Sequence, residues 1–198
     1  MDERGIFRGF GCTCRRRGRC GRNPGDSALS RRSLDRYDIA VIPCLGKNNI
    51  DRPALIFRML EIPTYLIWDS DKSKNKDGNP NANRRLLRLL GQEEEDFPSK
   101  VMPTFACFED KLEATLKSEL GPEVVETTIR EIVEEFGDPA AEDCLKRPAL
   151  FSSLLSKAKA KGHESRSLNL ILDNILALSP AAKLARADGG QRASQNRI

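Results

Sequence analysis

Thr64-Tyr65-Leu66-Ile67-Trp68-Asp69-Ser70-Asp71 decides how this chain is read. It is a short apolar run that ends in two carboxylates two positions apart. Ile, Leu, Tyr and Trp in a run of this length predict a strand buried on both faces. Side chains alternate along a strand, so Asp69 and Asp71 point the same way if the extended geometry persists. In open α/β sheets ligands gather at the carboxyl ends of strands, where this pair sits. Two close carboxylates repel unless a cation lies between them. The pair is therefore a candidate divalent-metal site, with a polar turn after a core strand as the alternative.

Working backward, Tyr37 to Cys44 predicts another strand, and Leu45 to Asn49 a loop tightened by Gly46. Asp51 is placed to cap a helix over Ala54 to Leu60, with Pro53 tolerated in its first turn. Strand, helix and strand in so few residues predict a βαβ unit and hence a parallel sheet. Working forward, Lys72 to Asn83 reads as a long polar loop and Arg84 to Leu90 as a helix closed by Gly91. Thr104 to Phe108 is a third strand candidate. Beyond it the chain turns helical. Leu112, Leu116 and Leu120 recur every fourth residue, Val124 to Phe136 form a second amphipathic face, Leu150 to Gly162 a third helix and Leu168 to Leu178 a fourth.

Residues 1–36 show no apolar period and hold ten Arg against Asp2, Glu3, Asp26 and Asp35. The net charge of +4 is concentrated there, so overall charge does not argue for a nucleic-acid surface on the rest. Four regions are expected: an Arg-rich disordered segment (1–36), an α/β domain (37–110), a helical region (111–180) and a disordered tail (181–198). No apolar run approaches the roughly 20 residues of a membrane span, and the Arg-rich start lacks an apolar signal core. A cytoplasmic protein without membrane contact is expected.

Several motifs fail on inspection. Cys12, Cys14 and Cys20 lack a fourth zinc ligand at usual spacing, and the lone His163 is distant. Cys44 and Cys107 read as core thiols. Asp69 to Asp77 places oxygen donors as in a calcium loop, but Lys74 stands where Gly is needed and Pro80 where Glu belongs. Gly46-Lys47 lacks the earlier Gly and following Ser or Thr of a nucleotide-binding loop, since Val41 and Asn48 occupy those places. Lys47 nevertheless follows a strand on the sheet edge that the Asp pair shares, although spacing alone favours a solvated loop lysine. Lys146-Arg147-Pro148 opens a helix and is either a basic phosphate contact or ordinary surface charge. Glu93 to Asp96 reads as a solvated acidic loop.

Asp38 to Lys47, Leu60 to Asp71 and Asn83 to Gly91 together resemble the TOPRIM domain of OLD-family (overcoming lysogenisation defect) ATP-dependent endonucleases. The resemblance extends over about residues 37–178, including the helical segment with Lys146-Arg147-Pro148. It implies a TOPRIM-like Rossmannoid α/β fold with a parallel sheet, followed by a small helical region. It also implies a Mg²⁺- or Mn²⁺-dependent hydrolase that cleaves DNA, with Asp69 and Asp71 as metal ligands. Lys47 would orient the loop near the metals, and Lys146 would stabilise charge on the phosphate. A separate ATPase domain or a homodimer is the expected partner. The competing class is a non-enzymatic module that binds nucleic acid or a partner through its basic tail.

The family's first strand ends in an acidic motif, and residues 1–36 hold no counterpart. A first strand and a metal-binding Glu are therefore expected to be missing, and the nuclease to be weak or inactive. A permitted codon choice for Cys12 to Cys20, read one nucleotide later, gives Val-Leu-Val-Val-Glu-Gly-Glu-Asp. The same shift turns Asn23 to Leu29 into Ile-Leu-Ala-Thr-Ala-Leu. We read residues from about 5 to 29 as translated out of frame from an ancestral domain start, a hypothesis motivated by their Arg-rich, Lys-free, aperiodic composition. Sequencing the gene tests it: the shifted peptide should be encoded, and codons incompatible with it would discard the idea.

Overall fold

Tyr65 and Leu66 point to opposite faces of one strand, and each face has its own core. The computed structural model describes residues 10–14, 37–137, 144 and 147–179. In chain order the strands are β1 (Phe10–Cys14), β2 (Ile39–Pro43), β3 (Thr64–Asp69), β4 (Lys100–Val101) and β5 (Phe105–Phe108). The helices are α1 (Asp51–Met59), α2 (Pro80–Leu89), α3 (Leu112–Leu120), α4 (Pro122–Phe136), α5 (Pro148–Ala160) and α6 (Arg166–Leu178). The α/β class holds, with several helices after the sheet.

The sheet order is β2-β1-β3-β5-β4. It is mixed rather than parallel. β3 and β5 pair in parallel, whereas β1 runs antiparallel to both β2 and β3, and β4 antiparallel to β5. β2 and β3 thus share a direction but do not touch as a βαβ pair, because β1 lies between them. β1 fills the gap between β2 and β3, but it runs antiparallel to both and its sequence holds no Glu, so it is not the acidic first strand expected to be missing. It can fill that gap because ladder pairing uses backbone N–H and C=O groups, which every non-proline residue carries. Two strands with open edges can therefore be bridged by a segment with no apolar period. Other expectations for residues 1–36, and for the tail at 181–198, lie outside the described residues.

One face of the sheet packs Leu66, Trp68, Phe105 and Cys107 against Ile50, Ala54, Leu86 and Leu87 of the α1 and α2 side. Trp68 and Phe105 stack with ring centroids 5.4 Å apart. The other face packs Ile39, Tyr65, Ala106 and Phe108 against Leu112, Leu116, Ile171, Ile175 and Leu176 of α3 and α6. All four β5 residues are buried, as expected of a strand covered on both faces. A further cluster joins α4 and α5 through Leu120, Val125, Ile132, Cys144, Leu150 and Leu154.

Local details differ from the sequence reading. Asp51 is the first residue of α1 rather than its cap, and its Oδ1 accepts from the Arg52 N–H at 2.9 Å. The predicted long loop is a 3-10 turn over Lys72–Gly78 followed at once by α2. Asn79, at φ 50°, caps α2 by accepting from the Ala82 N–H at 3.3 Å, and Pro80 follows it.

Candidate functional site at the carboxyl end of β3

The extended geometry of β3 stops at Asp69. Ser70 leaves the strand and Asp71 adopts a left-handed conformation, φ 59°. Strand alternation therefore does not reach Asp71, and the two carboxylates meet different partners. The 3-10 turn folds back so closely that a Cβ on Gly78 would sit 2.3 Å from the Asp71 carbonyl oxygen, so only glycine fits there.

Lys47 enters from the β2–α1 connection, where Leu45 (φ 56°) and Gly46 (φ 134°) turn the chain. It is buried. Its Nζ donates to the Ser70 carbonyl at 2.7 Å and pairs with Asp71 Oδ2 at 3.1 Å. Burial lowers the Lys47 pKa, opposed by the hydrogen bond and charge of Asp71. Lys74, three residues after Asp71, places its Nζ 2.8 Å from Asp71 Oδ1. Burial alone would raise Asp71, but hydrogen bonds from Lys74 and Lys47 outweigh it and hold the carboxyl below its ordinary range.

Asp69 faces elsewhere. Its Oδ1 accepts the Leu112 N–H at 3.0 Å, so it satisfies one of the unpaired donors at the start of α3. Burial nevertheless pushes its pKa up to about 7, opposed by that N–H and reinforced by Glu113 and Asp71. Glu113 has a carboxylate oxygen buried without a hydrogen-bond partner. Between the two acids, Ser70 is fully buried. Its N–H donates to the Phe108 carbonyl at 2.7 Å and its Oγ to the Pro98 carbonyl at 2.7 Å. Asn83, on α2, donates to the Ser70 carbonyl at 3.0 Å and the Asp96 carbonyl at 2.6 Å.

The structure thus brings Lys47 onto Asp71 and sets Asp69 close by on the same strand end. Lys146 lies outside the described residues. Lys74, Asn83 and Glu113 were not selected from the sequence. The signal for Lys74 was available: an Asp and a Lys three apart in a short polar turn can pair. Asn83 and Glu113 are set by tertiary contacts that no local spacing encodes.

The described residues do not by themselves make up a two-metal centre. Among the described residues no three His, Cys, Asp or Glu side chains group to hold an ion. Both oxygens of Asp71 are already bonded to lysine ammonium groups.

The end of β3 thus carries two acids and a buried lysine on an α/β sheet. Residues 27–71 match the family model for the TOPRIM domain of proteins like the overcoming lysogenization defect protein. The match ends on Asp71, covers less than a quarter of the chain and does not reach β1 or the helices after the sheet. No curated protein and no solved structure matches the chain.

The Asp69 environment has a pH consequence. The folded state holds the Asp69 proton up to about pH 7, whereas the unfolded chain releases it near 3.8. Asp69 therefore favours folding below the unfolded value, and that contribution is lost as pH rises towards 7. Asp71, held low, works in the opposite sense and loses its contribution only on acidification. Unfolding by denaturant should show a stability loss of roughly 2–4 kcal/mol between about pH 4.5 and about pH 7.5 that Asp69→Asn removes. Identical pH profiles for the two proteins would contradict the burial of an ionisable Asp69.

Proposed function

We propose that this chain is the nuclease-related TOPRIM part of an OLD-family system, with DNA as its substrate class and its own phosphodiester cleavage weak or absent. The observation that carries the reading is the family match over residues 27–71, which ends on the Asp69-Ser70-Asp71 strand end. In this reading Asp69 and Asp71 descend from the ligands of Mg²⁺ or Mn²⁺, and Lys47 positions the Asp71 carboxylate. Lys146 supplies positive charge for the phosphate. The protein acts in the cytoplasm, beside a separate ATPase domain or a second copy of itself. Among the described residues, no helix is long and apolar enough to cross a membrane.

The described residues group fewer carboxylates than a metal centre needs, and Asp71 is neutralised by the protein's own cations. Incubation of supercoiled plasmid with purified chain and Mg²⁺ or Mn²⁺ tests the proposal. Nicking should be indistinguishable from that of Asp69→Ala. Strong metal-dependent nicking that Asp69→Ala abolishes would show a working centre and overturn the claim of impairment.

A further inference from the structure

Asp71 is bracketed by two ammonium groups of unequal freedom. The Lys47 side chain is 7% exposed and also bonded to the Ser70 carbonyl, so it is fixed in the fold. The Lys74 side chain is 40% exposed and its ammonium pairs with Asp71 Oδ1. Its backbone is anchored all the same: the Lys74 N–H donates to the Asp71 carbonyl at 3.1 Å. The turn is therefore set so that the Lys74 ammonium falls on that oxygen, while the side chain keeps room to swing away. A dication approaching Asp71 meets two positive charges on the atoms it would bind, and Coulomb repulsion at such distances is strong near a partly buried site.

We propose that Lys74 is a tethered counter-ion: its ammonium occupies on Asp71 the place that a divalent cation needs, and closes the Asp69–Asp71 corner to Mg²⁺ and Mn²⁺ until it moves away. That the excluded ion is divalent rests on the nuclease reading above; the pairing itself does not. Lys74 is then a positioning and gating residue rather than a catalytic one. Its counterpart in the fixed frame is Lys47, which keeps Asp71 in place whether or not Lys74 is engaged.

The test is Mn²⁺ titration of the full chain by calorimetry, comparing wild type, Lys74→Met, and Lys74→Met combined with Asp71→Asn. Lys74→Met should tighten Mn²⁺ binding by about tenfold, the effect of removing one competing charge at a partly exposed site. Adding Asp71→Asn should erase the gain. Wild type and Lys74→Met binding equally, or a gain that survives Asp71→Asn, would overturn the proposal. Plasmid nicking by Lys74→Met is scored separately. If that variant gains Mn²⁺ but does not nick DNA, the counter-ion stands and the nuclease reading fails. If it nicks without a gain in Mn²⁺ affinity, the reverse holds.

Discussion

The carbonyl of Ser70 is where the fold is tied together. It lies past the last ladder of β3, in a residue with no exposed surface, and a buried carbonyl without a partner is costly. Its two acceptor positions are filled by the Lys47 ammonium and the Asn83 amide. The Ser70 N–H and hydroxyl reach the Phe108 and Pro98 carbonyls. Four separate stretches (the β2–α1 connection, α2, the segment before β4 and the end of β5) therefore converge on one residue. The positions of Asp69 and Asp71 follow, since each is a direct neighbour of this knot.

The two acids consequently serve the fold before they serve any chemistry. Asp69 satisfies a donor at the start of α3, which packs on the Tyr65 face of the sheet. Asp71 anchors the turn that leads into α2 on the Trp68 face. The strand end thus couples the two cores. A carboxylate that is raised by burial and one that is lowered by lysines sit two residues apart, so their environments differ although their spacing suggested a matched pair. A metal centre needs both free to bind one ion, and here each is engaged by a partner of the chain itself, Asp69 by a backbone N–H and Asp71 by two lysines.

Much of this was legible in the sequence. Short apolar runs placed β2, β3 and β5, and helical spacing placed the helices after the sheet, within a few residues, because burial on a sheet or helix face dictates those patterns. The Gly46-Lys47 and Asp69-Ser70-Asp71 stretches identified the strand ends that meet. What escaped had no local signature. β1 pairs through backbone groups and needs no apolar period. β4 is two residues long. The left-handed turn at Asp71 depends on the close approach of Gly78, seven residues on, and so broke an alternation that the strand alone implied. Asn83 was read as loop, yet it is buried in α2 with its amide on Ser70.

The central claim is that the protein's own lysines, not a bound metal, balance the charge at the end of β3. Anomalous diffraction from crystals of the wild-type chain soaked in Mn²⁺ tests it most directly. The account predicts Lys47 and Lys74 on the two oxygens of Asp71 and no manganese peak between Asp69 and Asp71. A well-occupied manganese ion bonded to both carboxylates, with Lys74 turned away, would contradict it.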